Sequence, residues 1–425
     1  MSRKNQTIAP VGAAAGLFLI SVLTIACACL SVLGVKLSNA PVLPWEQMIP
    51  LGVYLAGVPV ALIWLKVIGW KGDPGLVGAI FLLCGIGLVI QFRMGSFSQG
   101  LAAPLALAPF PLGLVAFVVG ATAMGKGRGA WMANMSWLAY LAALGVLAGM
   151  LVLGRSFRGG LYLAGNLNPS EVIKPLLVFF LAAYLSRRQK EFSETQNGIP
   201  VPPFAALLGL VLLWGVPMVL TIALKDLGLM VLLNAILIVM LFAVARSTGY
   251  LAIGLAAVAA AGFGVQLISA HAQARFDVWL NPFADPTGKG WQVLQALSAM
   301  YSGGLWGAGL GSGVPQTVPI VSSDFVYAAV AEEIGFVGCG LLLLAYAVLF
   351  SRGFRAAGAA RTPFERLLCV GLTASLAVQT ILNVAGVTKA LPMTGITLPL
   401  ISHGGSSLIT TLFIAGLLVG LSDHK

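Results

Sequence analysis

Cutting the chain at its polar residues leaves one apolar run after another of about 17–25 residues, the length a helix needs to cross a hydrocarbon core of roughly 30 Å. That feature excludes most folds. In lipid the backbone must satisfy its own hydrogen bonds, so runs of this length are helices and not open strands. Composition agrees. Of 425 residues, 59% are hydrophobic and 9% are charged, against about 25% charged in a soluble domain. The 52 glycines suit close helix–helix contact. The expectation is an all-α fold, a polytopic transmembrane bundle of about 12 helices.

The spacing predicts spans over 11–34, 48–70, 75–93, 104–125, 131–153, 169–187, 203–222, 227–246, 249–270, 325–351, 364–387 and 405–421. The first run is too long for a signal-peptide core, and no small-residue cleavage site precedes the second, so it reads as a retained helix.

Charge sets the orientation. With the N-terminus in the cytoplasm, the inner segments hold Arg3, Lys4, Lys66, Lys71, Lys126, Arg128, Arg187, Arg188, Lys190, Arg246, Arg352, Arg355, Arg361, Arg366 and Lys425, fifteen of the 24 basic residues. This is the positive-inside bias, and it places both termini in the cytoplasm. The net charge of +11 is therefore mainly a topology signal and not a nucleic-acid surface, since no soluble domain exists to carry one. The cysteines Cys27, Cys29, Cys84, Cys339 and Cys369 all fall inside predicted spans without metal-ligand spacing, as small packing residues do.

Acidic residues number only 13. Eight of them, Glu46, Glu171, Asp226, Asp277, Asp285, Asp324, Glu332 and Glu333, fall at the external face or in the bundle beneath it. An ionisable residue inside a span is costly and marks a candidate site, though an ion pair that fixes helix packing is the plainer explanation for any one of them. Glu171 and Lys174 lie three apart on one helix face and are expected to pair. Asp226 opens the eighth span and suits a helix N-terminus. Asp324, Ala328 and Glu332 would line one face of the tenth span, with Glu332 about 12 Å inside its external end. Such depth demands a partner or a water-filled cavity.

Two polar or broken segments stand between spans. The external stretch 271–323 is too long for an ordinary connection. It contains an amphipathic run from Trp291 to Tyr301 and the interface-prone Trp279, Trp291 and Trp306. The segment 388–407 is apolar but broken by Pro392, Gly395 and Pro399, and ends in Ser402-His403-Gly404-Gly405-Ser406-Ser407. It reads as a re-entrant or tightly folded segment. Its glycines and serines at a helix start would suit an anionic group, or form a plain turn and cap. No nucleotide-binding loop is present. The residues alone allow an enzyme acting on a lipid-linked anionic substrate, or a transporter. The absence of a visible repeat and the one-sided acids favour the enzyme.

These segments resemble the SEDS family of bacterial cell-wall proteins, whose members include FtsW, RodA and SpoVE. The resemblance rests on Asn168-Pro169-Ser170-Glu171 with Lys174, Asp226-Leu227-Gly228, Arg275 through Asn281-Pro282 to Asp285-Pro286, and Gly303-Gly304-Leu305 with Gly307 and Gly309. It continues with Ser323-Asp324-Phe325, Glu332-Glu333-Ile334-Gly335, and Leu391-Pro392 through Ser407. The chain departs from the family pattern at Lys225, Ile320, Ser322 and His403.

The resemblance implies a ten-helix core with two helices added within residues 1–130, the rest of the core filling 131–425. It implies a peptidoglycan glycosyltransferase that polymerises lipid II beside a class B penicillin-binding protein, in the bacterial cytoplasmic membrane, during division or elongation. Asp285 is the expected catalytic acid. Arg275, Glu171, Lys174, Asp226, Asp324, Glu332, Lys389, His403 and Ser406 are the expected substrate-binding residues. A divalent cation, Mg2+ or Mn2+, is implied by the family and by the pyrophosphate leaving group, with no ligands assigned to it. A lipid II flippase, a non-catalytic scaffold and a polymerase of another lipid-linked glycan are the alternatives.

Overall fold

The computed structural model describes residues 45–124, 129–157, 160–162, 169–196 and 199–423, with scattered residues between 16 and 34. Every predicted span from residue 48 onward is helical. The first predicted span, Asn168 and Cys27 lie wholly or partly outside the described residues.

The helices are α1 (Ile49–Val67), α2 (Pro74–Arg93), α3 (Pro109–Ala123), α4 (Ser136–Leu153), α5 (Ser170–Arg187), α6 (Phe204–Ala223) and α7 (Leu227–Ala245). They continue as α8 (Thr248–Ile268), α9 (Ala270–Leu280), α10 (Trp291–Gly303), α11 (Val326–Gly358), α12 (Pro363–Val387) and α13 (Gly405–Leu421). Among the described residues, seven helices are long and apolar enough to cross a membrane, and three shorter apolar ones accompany them. The protein is a multi-pass membrane protein. Large apolar side chains such as Leu207, Val211, Leu212 and Val219 of α6 are exposed, as suits a face turned to lipid tails.

Two compact units divide the chain. One comprises Met1–Gly125, Asp277–Arg352 and Gln379–Lys425; the other comprises Lys126–Phe276 and Gly353–Val378. In the first, α3 runs against α13. A Cβ on Gly416 would lie 2.1 Å from the Phe117 carbonyl oxygen, and one on Gly120 would lie 2.7 Å from that of Phe413. Only hydrogen at these positions lets the two backbones approach so closely. The Tyr54 hydroxyl of α1 donates to the Phe81 carbonyl of α2 at 2.9 Å. Trp70 donates its indole N–H to the Val419 carbonyl at 2.8 Å, and Arg352 pairs with Asp73 at 3.2 Å. In the second unit, α4 packs on α5 and on α6, and α7 on α8.

The 271–323 connection contains two helices, α9 and α10, where sequence suggested a long loop; the amphipathic run Trp291–Tyr301 lies within α10. Two short antiparallel ribbons, Arg155–Phe157 with Gly160–Tyr162 and Thr195–Gln196 with Ile199–Pro200, were not expected from the sequence.

The tenth span differs from expectation at both its start and its middle. Helix α11 begins at Val326, so Asp324 sits in the preceding turn and does not share a helix face with Ala328 and Glu332. The cause is that three consecutive carbonyls are taken from outside. That of Ser322 accepts from Gln91 Nε2 and from the His403 N–H, that of Ser323 from Ser402 Oγ, and that of Asp324 from Asn383 Nδ2. Further along, the helix breaks at Gly335, with φ 68° and ψ −173°.

Candidate active site

In the second unit, four of the expected residues come together. Lys174, almost fully buried, pairs with Glu171 one turn before it on α5. Pairing is what a buried ammonium requires, because an uncompensated charge in a low-dielectric interior is costly. Asp226 caps α7, accepting the Leu229 N–H at 3.0 Å; it satisfies one orphan donor of that helix and complements its dipole. The charges of Glu171, Arg275 and Lys174 all act on Asp226. The group therefore combines two cations and two carboxylates, an arrangement able to bind a multiply charged anion while remaining nearly neutral without one.

The remaining expected residues belong to the first unit. Asp285 stands in the turn between α9 and α10 and is exposed. Its Oδ1 accepts the Gly288 N–H and its Oδ2 the Lys289 N–H, each at 3.0 Å. The backbone of the same turn closes with Gly290 N–H donating to the Asp285 carbonyl at 3.0 Å. Asparagine 281 secures the other side, its Oδ1 accepting the Phe283 N–H at 3.1 Å. Two backbone amides thus hold the carboxylate in one orientation, leaving each oxygen a second lone pair toward solvent.

Glu332 is buried, and only one of its two carboxylate oxygens is paired: Oε2 has no hydrogen-bond partner among the described residues. Its Oε1 accepts the Val314 N–H at 2.8 Å. Lys389 adopts a left-handed backbone, φ 61°, and its carbonyl accepts the Trp279 indole N–H at 3.1 Å. Ser406 lies half-buried in the first turn of α13, beside Ser407, whose Oγ shares a 2.7 Å hydrogen bond with Thr397 Oγ1. The segment 388–404 is irregular, as its Pro and Gly residues suggested, and its backbone is stitched down by Gln379 to the Thr397 carbonyl and Asn383 to the Ile396 carbonyl.

A family model described as cell cycle protein, that of FtsW, RodA and SpoVE, matches residues 75–425. The chain belongs to this family. It is 32% identical to the peptidoglycan glycosyltransferase RodA of Mycobacterium tuberculosis over 364 residues, 82% of this chain and 78% of that protein. It is 36% identical over 266 residues to the stage V sporulation protein E of Bacillus subtilis, covering 62% of this chain and 70% of the relative. A chain from a peptidoglycan synthase complex that coordinates polymerization and crosslinking has a similar structure, with TM-score 0.65 and 28% identity, covering 83% of this chain and 97% of that one. The crystal structure of Thermus thermophilus RodA matches with TM-score 0.57 and 28% identity, over 83% of this chain and 96% of its own.

At position 403, where the chain departs from the family pattern, the imidazole meets Phe97 edge-on, with ring centroids 5.6 Å apart. It lines an apolar cleft of the first unit with Leu88, Leu107, Phe110, Leu400 and Leu408. Burial there pushes its pKa below the ordinary 6.5, because the charged ring loses water it cannot replace. The folded protein therefore holds this proton less tightly than the unfolded chain does. Stability is full above pH 6.5 and falls as pH drops from there through the lowered folded value. We expect the melting temperature in detergent to decline between pH 7 and 5, and His403→Phe to flatten part of that slope. An unchanged slope in the variant would remove His403 as its source.

Sequence reasoning missed Gln91, Arg93, Gln379 and Asn383, whose side chains bind the carbonyls that shape this unit. Gln91 donates to Ile401 and Ser322 at 2.9 and 3.0 Å. For Gln91, Gln379 and Asn383 the available signal was a polar side chain inside an apolar run, which lipid does not tolerate without a partner.

Proposed function

We propose that the protein polymerises lipid II as a peptidoglycan glycosyltransferase at the outer face of the bacterial cytoplasmic membrane. The observation that carries this reading is the exposed Asp285 carboxylate, fixed by two backbone amides, in a chain of the FtsW, RodA and SpoVE family. The relatives named peptidoglycan glycosyltransferase support it.

In this reading Asp285 takes the proton from the acceptor's sugar hydroxyl as its oxygen attacks the anomeric carbon of the donor. The bond from that carbon to the pyrophosphate oxygen breaks, and undecaprenyl pyrophosphate leaves with the bonding pair. Lys174 and Arg275, with Lys389, are assigned to the negative charge that grows on the leaving group. Ser406, His403, Asp324 and Glu332 are assigned to substrate binding. A divalent cation, Mg2+ or Mn2+, fits such a reaction. Among the described residues no cluster of three or more His, Cys, Asp or Glu side chains exists. Mg2+ commonly needs only one or two carboxylates beside substrate phosphates, and Glu171 and Asp226 are the carboxylates that would share it. When bound, it would neutralise pyrophosphate charge.

A class B penicillin-binding protein is the proposed partner, supported by the likeness to a chain of a complex that joins polymerization to crosslinking. Both termini are assigned to the cytoplasm on the charge bias. The family match begins at residue 75, after α1, which supports reading the first two spans as additions to a ten-helix core that starts within 1–130 and continues over 131–425.

The test uses the purified full-length protein with its cognate class B penicillin-binding protein, lipid II and Mg2+ or Mn2+. Glycan polymer is the expected product. A folded, partner-bound wild type that forms no polymer would overturn the reading in favour of a flippase or scaffold.

A further inference from the structure

The break at Gly335 frees backbone groups that a continuous helix would pair, and residues 303–314 pair them instead. The Glu332 and Glu333 carbonyls accept from Ala308 and Gly309 N–H at 2.8 and 3.0 Å; the Phe336 and Val337 N–H groups donate to Gly304 and Leu305 at 2.9 and 3.1 Å. The fit is close: a Cβ on Gly307 would lie 2.2 Å from the Glu333 carbonyl oxygen.

A side-chain layer lies over this backbone layer. Glu333, whose side chain is fully buried, accepts the Gly311 N–H on one oxygen and Arg93 Nε on the other, the latter at 2.9 Å. Arg93 reaches in from the last residue of α2, and its second arm donates to the Gly313 carbonyl at 2.6 Å. One guanidinium therefore grips a carboxylate of α11 and the backbone of the 303–314 segment together. That segment continues directly from α10, and the other end of α10 begins beside the Asp285 turn: Trp291 N–H donates to the Gly288 carbonyl at 3.2 Å, and Gly288 N–H holds Asp285.

We infer that Arg93 is a positioning residue for the reaction, locking the C-terminal end of α10 so that its N-terminal end presents Asp285 in a fixed place. This inference rests on the assignment of Asp285 as proton acceptor. Arginine suits the task because its planar fork offers donors in two directions at fixed geometry, which lysine cannot do. A buried pair that has lost one member leaves the other charge uncompensated, so the lock is expected to fail sharply when Arg93 is replaced.

The experiment compares wild type, Arg93→Gln and Arg93→Lys as full-length chains in complex with the penicillin-binding protein, by hydrogen exchange and by polymer kinetics. For Arg93→Gln, faster exchange is expected in 303–314 and 285–303 and none of it in 74–90 or 405–421. The kcat should fall about 10- to 100-fold, the cost of a small misplacement of a reacting group, with KM for the lipid-linked donor within about twofold. Arg93→Lys, which keeps the charge but not the fork, should fall between the two. Unchanged exchange at 285–303, faster exchange spread evenly over the chain, or a loss carried by KM alone would overturn the inference. If Arg93→Gln does not fold, Arg93→Lys is judged by the same criteria. A wild type without polymer would sink the proposed function instead, and exchange would still decide whether the lock exists.

Discussion

Asp285→Ala is expected to lower polymer formation by about 10²–10⁴-fold, the usual contribution of a positioned general base, while leaving the protein folded. Asp285 is exposed and, among the described residues, its side chain bonds within its own turn, so its removal costs little packing. Two further substitutions separate charge from position. Asp285→Asn keeps the shape but turns one acceptor into an amide NH2, which then faces a backbone N–H, donor against donor. It loses both the base and one anchor, and should be as inactive as the alanine variant. Asp285→Glu keeps the charge but carries it one methylene further out, beyond the two amides that orient it. It should retain a small residual rate, since misplacement by about 1 Å is costly but not absolute. The measurement is initial polymerisation rate at saturating lipid II, with circular dichroism and monodispersity as checks of folding. Wild-type polymer from Asp285→Ala would remove the residue from the mechanism, whatever the family.

The helices were legible because lipid leaves so few choices: an apolar run of spanning length has to be a helix. Local chemistry was legible for the same reason. Glu171 and Lys174 are three residues apart, and helix geometry alone brings them together. Asp226 before an apolar run is an N-cap signal, and the cap is there. Distances across the chain were a different matter. Nothing in the spacing links Arg275 to Asp226 or Arg93 to Glu333; such pairs exist only after the helices have packed. Arg93 also resembles an ordinary basic residue at a helix end, where it complements the dipole. The start of α11 was misread because the carbonyls of residues 322–324 are captured by Gln91, Ser402, His403 and Asn383, and no local propensity reports capture by distant side chains. Ile320 and Lys225 show the same limit. Both stand where the chain departs from its family's pattern, and both adopt left-handed backbone, φ 55° and 58°, which a branched isoleucine takes only when its surroundings compel it.

Gly335→Ala should be among the most damaging single changes outside the Asp285 turn, and its effect should be structural. At φ 68° and ψ −173° the residue occupies backbone space open essentially to glycine alone, where a side chain costs about 1–3 kcal/mol. Its Cβ would also lie 2.3 Å from the Gly307 nitrogen and 2.5 Å from the Leu305 oxygen. Both are backbone atoms, so relief requires the 303–309 strand of chain to withdraw. Withdrawal breaks the bonds from Phe336 to Gly304 and from Val337 to Leu305, each worth about 1 kcal/mol net and more if a donor is left buried and unpaired. The total comes to about 3 kcal/mol or more, a large part of the stability of a typical domain. The paired control is Gly340→Ala in the same helix, where an added Cβ meets nothing within 4 Å; it should be neutral or slightly stabilising, because alanine restricts the unfolded chain more than glycine does. Thermal unfolding of the two variants in detergent decides the point. A large drop for Gly335→Ala beside an unchanged Gly340→Ala would identify the break as a required feature, on which the 303–314 segment depends. Equal melting temperatures would mean that α11 can run straight through residue 335, and the docking of that segment would then need another cause.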